Sequence, residues 1–276
     1  MKLRQIAPLG VILCAASAFG AAPPNSLTGQ LFVDPSFSGG TGANDQTTNQ
    51  IAGPLNLFGT ATGGFNTTAN GETHVDYGTI KLFTSGFGSA SVVARGIYRD
   101  SVTITSPGIT TGTPGTLTYS IYVNGLLMSD GGDSDAGYQL IADLDGGASD
   151  ISKSGTLFSP HLGGAFQGDP FGTYSATINF QYGFALSLYV EVDASVSLGY
   201  SDTNHPGSAT TNMLSSSYWG GITNVQANGS PVASFTANSA SGANLAPSQV
   251  PVPEPQTLGL LSAAGLLLLK RRPRVS

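Results

Sequence analysis

The chain holds one cysteine, one tryptophan and three histidines in 276 residues, and only 9% of its residues are charged. Each scarcity excludes something. Cys14 falls in an N-terminal leader, so the exported part has no thiol, forms no disulfide and must be held by its core. His74, His161 and His205 are far apart and in unrelated surroundings, so the sequence spells out no metal-binding pair. Neither a Gly-x-Ser-x-Gly elbow nor a phosphate loop occurs, and no catalytic residue is assigned. Basic residues are scarcer than the totals suggest. Lys2, Arg4, Lys270, Arg271, Arg272 and Arg274 lie in the two terminal segments, leaving Lys81, Arg95, Arg99 and Lys153. Against these four stand sixteen acidic residues between Asp34 and Glu254, a net charge of −12, which excludes nucleic acid as a partner and repels anionic lipid.

The two ends carry addresses. Lys2 and Arg4 precede an apolar run from Ile6 to Phe19 and then small residues through Ala22, the three-part layout of a secretory signal peptide over residues 1–20. The run is too short for a comfortable bilayer span, and the expected cut lies between Gly20 and Ala21. Leu13 stands before Cys14 where a lipoprotein signal wants Gly or Ala, so the cysteine is read as part of the discarded leader. At the other end, Val252-Pro253-Glu254-Pro255 is followed by an uncharged apolar stretch from Thr257 to Leu269 and then by Lys270, Arg271, Arg272 and Arg274. As a helix, residues 257–269 would reach roughly 20 Å against a hydrocarbon core of about 30 Å. This predicts a short transmembrane helix that needs bilayer thinning or a membrane enzyme to receive it. The basic block after it stays cytoplasmic and leaves everything before Pro253 outside. An ordinary single-span anchor, or a buried C-terminal helix with a charged end, is the plainer reading.

This order of motif, short apolar helix and basic block resembles the PEP-CTERM sorting signal of Gram-negative bacteria that make exopolysaccharide, here over residues 253–276. The resemblance implies Sec-dependent export, transient anchoring, and processing near the motif by the membrane transpeptidase exosortase. It also implies delivery to the cell surface or extracellular matrix, in a role linked to exopolysaccharide or biofilm. Residues Trp219 to Gly242 further resemble the end of β-rich passenger domains that often precede this tail.

Thirty-eight glycines with abundant Ser, Thr and Asn argue against a helical bundle and for many turns. About 230 residues outside the terminal signals suffice for one β domain, or at most two small ones. The expected class is all-β, an antiparallel β-sandwich of jelly-roll-like form over residues 71–237, followed by a polar linker over 238–252. Residues 21–70, rich in Gly, Thr and Asn, read as loops with one or two marginal strands. Strands are expected over Val75–Phe83, Ala90–Tyr98, Val102–Thr105 and Leu117–Val123, with a connecting loop from Gly108 to Gly115. From Tyr174 to Leu198 every even position is apolar, too long for one strand, and Gly183 is the expected bulge or corner between two sheets. Asn228-Gly229 between Ile222–Val225 and Val232–Phe235 predicts a final hairpin.

Three candidate chemistries remain. Asp130, Asp133, Asp135, Asp143, Asp145 and Asp150 crowd into a Gly-rich stretch that could hold a structural calcium ion, although the spacing is not that of an EF-hand; a solvated acidic loop is the alternative. Tyr218, Trp219 and Tyr189 offer rings for stacking on sugars, though Trp219 serves equally well as a core residue. A hydrolase site assembled only by the fold is the third reading. The leading expectation is a structural or adhesive surface protein and not an enzyme; a carbohydrate- or calcium-binding module is the alternative.

Overall fold

Alternation of inward and outward side chains governs nearly every strand of the computed structural model, which describes residues 25–35, 44–63, 67–147, 149–199, 206–214 and 217–247. The strands in chain order are β1 (Ser26–Asp34), β2 (Asn44–Gln50), β3 (Leu55–Thr62), β4 (Thr68–Asp76), β5 (Thr79–Gly88) and β6 (Ala90–Thr105). Next come β7 (Pro114–Val123), β8 (Leu126–Asp130), β9 (Asp133–Asp143), β10 (Ile151–Phe158), β11 (Phe166–Gly168) and β12 (Gly172–Gln181). The last are β13 (Ala185–Gly199), β14 (Gly207–Asn212), β15 (Ser217–Ala227), β16 (Ser230–Pro231) and β17 (Thr236–Ser239). Among the described residues the only helix is the 3-10 turn Pro160–Leu162, and none is long and apolar enough to cross a membrane. The leader, the sorting motif, the expected transmembrane helix and the basic block lie outside the described residues.

Two antiparallel sheets pack face to face as a β-sandwich. Sheet A runs β11-β10-β9-β13-β6-β1-β2, with β17 alongside β6 beyond the end of β1. Sheet B runs β12-β7-β15-β5-β14-β8, with β4 and then β3 on the other edge of β5. Leu27, Tyr98 and Val190, neighbours in register, face inward from sheet A. Leu82, Leu117 and Tyr119 do so from sheet B. Each fully buried Leu or Val contributes about 1.5–3 kcal/mol relative to exposure, which is how a domain without disulfides is held.

Several inward glycines face branched side chains of the opposite sheet. Gly29 and Gly96 are cross-strand neighbours, and a Cβ on Gly96 would lie 2.5 Å from Ile80 Cγ2 of the opposite sheet. Gly29 receives Leu55 in the same way, and Gly71 receives Leu31. The missing side chain on one sheet is thus the slot for a branched side chain on the other.

The sequence reading is corrected in several places. Residues 21–70 are not mainly loop: β1 is an interior strand of sheet A, β3 and β4 belong to sheet B, and β4 runs through the expected boundary at residue 70. Val75–Phe83 is interrupted at Tyr77-Gly78, where Gly78 takes φ 82° to turn β4 into β5. The separate strands expected over 90–98 and 102–105 are one, β6. The long alternating segment does break at Gly183, whose φ of 77° turns the chain from β12 in sheet B to β13 in sheet A. Asn228 and Gly229 adopt φ 49° and 79°, as a two-residue turn with both central residues left-handed requires. The returning β16 covers two residues only, after which the chain crosses to sheet A as β17. The start of the expected linker is therefore packed, and Leu245 is buried.

Candidate functional site

The acidic stretch is continuous in sequence and divided in space. An extended strand rises about 3.4 Å per residue, so eleven-residue β9 sets its two ends about 34 Å apart. Asp130, Asp133 and Asp135 gather at the β8–β9 turn, while Asp143, Asp145 and Asp150 gather at the β9–β10 loop. The expected calcium ligands therefore do not form one cluster. At the first turn Asp130 accepts the Gly131 N–H at 2.8 Å, and Asp133 faces His161 at 3.5 Å. Burial alone pushes the Asp135 carboxyl up to about 6. At the far loop, one carboxylate oxygen from each of Asp143, Asp145 and Asp150 lies within 4.8 Å of the others. All three already accept protein hydrogens. Asp143 Oδ1 takes the Asp145 and Gly146 N–H groups at 3.0 and 3.1 Å. Asp145 takes Gly147 N–H at 2.8 Å, and Asp150 Oδ2 takes Leu144 N–H at 3.0 Å and the Tyr119 hydroxyl at 2.9 Å. Calcium asks for six to eight oxygens; here three carboxylates are folded into the loop's own turn bonding.

The outer face of sheet A carries an ionic group set by strand register. Arg95 stands opposite Asp193 on β6 and β13, and Arg99 opposite Tyr189. Arg95 Nε and Nη2 donate to the two Asp193 oxygens, both at 2.8 Å, and Nε also reaches Glu191 at 3.2 Å. Tyr189 donates to Glu191, and the Arg99 guanidinium lies 4.9 Å above its ring. Burial holds the Asp193 carboxyl above its ordinary range even though Arg95 pulls it down. The group is internally satisfied and acts as a polar staple between β6 and β13.

None of the three rings expected to stack on sugars stands free. Trp219 is fully buried, stacks on Tyr119 at 5.6 Å, and donates its Nε1–H to Leu245 O at 2.6 Å. Tyr218 is nearly buried, and Tyr189 is bound into the ionic group. His205 lies outside the described residues.

His74 is the better-placed histidine. It points outward from β4, with Nδ1 2.5 Å from Asn56 Oδ1, Nε2 3.2 Å from Glu72 Oε2, and its ring edge-on to Phe58 at 5.2 Å. Asn56, His74 and Lys81 share one register row across β3, β4 and β5 and line an open groove of about 650 Å³. An imidazole fixed between an amide and a carboxylate orders this surface, with Lys81 as the cation beside it. Sequence reading also passed over the exposed apolar side chains on this outer face of sheet B, Phe58 and Phe87 among them. Their signal was parity, since they alternate with the inward Leu57 and Gly86.

The sorting motif Pro253, Glu254 and Pro255, the block Lys270, Arg271, Arg272 and Arg274, and the cut at Gly20 and Ala21 lie outside the described residues. Compared with protein-family models, with curated proteins and with solved structures, the chain matches none.

Proposed function

We propose that this chain is a structural or adhesive protein of the cell surface or extracellular matrix of a Gram-negative bacterium, exported by the Sec machinery and sorted by exosortase. The reading is carried by one observation: Pro253-Glu254-Pro255, a thirteen-residue apolar stretch over 257–269 and Lys270, Arg271, Arg272 and Arg274 follow one another without interruption. The apolar stretch holds the exported chain in the membrane, the basic block stops it there, and the proline-flanked glutamate marks the outer boundary for the transpeptidase. A cysteine-free sandwich with a net charge of −11 outside the terminal signals, Glu254 lying within the sorting motif, suits a soluble passenger in a matrix of neutral polymer. The jelly-roll-like course belongs to the same proposal, supported by the passages β5–β6, β6–β7 and β12–β13, each of which steps from one sheet to the other.

Intact-mass measurement of protein recovered from the cell surface, with and without exosortase, tests the reading. Loss of residues 1–20 in both strains, and loss of the tail only where the transpeptidase is present, is the expected result. Full-length chain free in the cytosol with both termini uncut refutes it.

A further inference from the structure

Register fixes what sheet B shows to solvent. One row across β3, β4, β5, β14 and β8 reads Phe58, Glu72, Phe83, Asn212, Leu126. In the next row Met128 stands opposite Thr210, and beyond it Phe87 lies between Thr68 and Ser208. Phe58 is 57% exposed, Leu126 53%, Met128 49% and Phe87 40%, so four of the nine large exposed apolar side chains among the described residues share this face. Strands lie about 4.8 Å apart, so apolar groups on alternate strands repeat about every 10 Å, and the row from Phe58 to Leu126 spans about 19 Å. Phe83 and Phe87, four residues apart on β5, are separated by about 14 Å.

This surface is narrow and mounted on strands. At about 19 by 14 Å it offers on the order of 270 Å² of mixed surface, well short of the roughly 800 Å² per partner that a stable protein interface buries. Between the apolar groups stand neutral amides and hydroxyls, Asn70, Ser85, Thr210 and Asn212, which both donate and accept hydrogen bonds. A ring or thioether every second strand, separated by neutral hydrogen-bonding groups, complements a chain of linked polyol rings, whose C–H faces are apolar and whose rims carry hydroxyls. The face carries Glu72 and Asp130, with Lys81 as the cation at one end of it, on a chain already at −11 between its terminal signals, so an anionic polymer is repelled.

We propose that the outer face of sheet B, centred on Phe83 and flanked by Phe58, Phe87, Leu126 and Met128, binds a neutral polysaccharide chain. This site is on different strands from Trp219 and Tyr189 and does not rest on the sorting tail; the intact-mass result and the binding result can fail independently.

The test is native affinity electrophoresis of the whole chain through gels containing dextran, galactomannan, xyloglucan or hydroxyethyl cellulose, with alginate as the acidic polymer. Retardation is expected in at least one neutral polymer and not in alginate. Phe58→Ala combined with Phe87→Ala is expected to weaken it at least tenfold, with Tm held within a few degrees because both side chains are largely outside the core. Phe184→Ala, which removes an exposed ring at the β12–β13 corner, is expected to leave it unchanged. The proposal is overturned by free migration in all four neutral gels, by equal retardation in alginate, or by retardation that the double variant does not reduce. It is also overturned if sedimentation shows a dimer that Leu126→Lys dissolves, since a second copy would then occupy the face.

Discussion

Replacing Gly96 with alanine adds one methyl group to the centre of sheet A, and the structure says where that methyl goes. It lands 2.5 Å from Ile80 Cγ2 and 3.0 Å from Val75 Cγ2, both on sheet B. Neither neighbour can swing away cheaply, because a γ-methyl on a β-branched residue moves only if χ1 or the backbone moves. Overpacking of this kind costs about 1–3 kcal/mol, while removing glycine's freedom in the unfolded chain returns about 0.4–1 kcal/mol. The net expectation for Gly96→Ala is a loss of about 1–2 kcal/mol, read as a fall in Tm of about 2–8 °C for a domain of this size. Gly172→Ala is the control: it has nothing within 4 Å of the added carbon, so it should leave Tm unchanged or slightly raised. Ile80→Ala supplies the second arm. It removes the clashing methyl, and Gly96→Ala on that background should cost at least 0.5 kcal/mol less than on the native one, within the range of coupling seen for contacting pairs. Calorimetry or denaturant titration of residues 21–251 reads the native protein and all four variants. Equal losses for Gly96→Ala and Gly172→Ala, or strict additivity with Ile80→Ala, would refute the account of sheet-to-sheet slots.

Two further outcomes follow from the acidic turns. Burial raises Asp135 from 3.8 to about 6, so the folded state prefers its neutral form. The stability it contributes is fully present below pH 3.8 and is lost as pH rises through 6. Asp135→Asn should therefore flatten the fall in denaturant midpoint between pH 4 and 6 and stabilise the protein at pH 7 by on the order of 1–2 kcal/mol, and an unchanged slope would count against the buried carboxylate. At the other end of β9, Asp143, Asp145 and Asp150 are engaged with loop N–H groups, so millimolar calcium against chelator should move Tm by less than about 1 °C. A rise of several degrees would show a filled site, since ligand at a hundred times Kd adds about 2.7 kcal/mol.

The parts of the fold that could be read from the residues are those in which every inward position is apolar. Leu117 to Val123 and Tyr174 to Leu198 keep that period, and Gly183 and Asn228-Gly229 mark their turns by chemistry that few other residues supply. The strands β1 and β3 read only as marginal because Gly29 and Gly59 occupy inward positions between Leu27 and Leu31 and between Leu57 and Ala61. In a periodicity count an inward glycine looks like loop; in the sandwich it is a slot for the opposite sheet. Strand β6 was cut in two because Asp100 points inward with 2% exposure. No local pattern could reveal its partner, Ser241, whose N–H donates at 3.1 Å from 141 residues away. The acidic stretch is divided into two groups for a related reason, since nearness in sequence becomes distance once a strand extends. The aromatic face of sheet B was hidden because its members come from three strands far apart in the chain.

Asp100 and Trp219 also explain why the C-terminal segment before the tail is more than a tether. Thr236–Ser239 pairs with β6 of sheet A, and Ser241 binds the Asp100 carboxylate through both its N–H and its hydroxyl, the latter at 2.5 Å. Leu245 then accepts the Trp219 indole N–H from the core of sheet B, and Ile222 N–H reaches Ala246 O at 3.2 Å. Within eleven residues, 236 to 246, the chain is fastened first to one sheet and then to the other. A protein held to a surface by its C-terminus would receive any pull at this end. A strap bonded to a single edge strand would pass that pull to one sheet and peel it from its partner. Fastening to both sheets would distribute such a pull across the shared core.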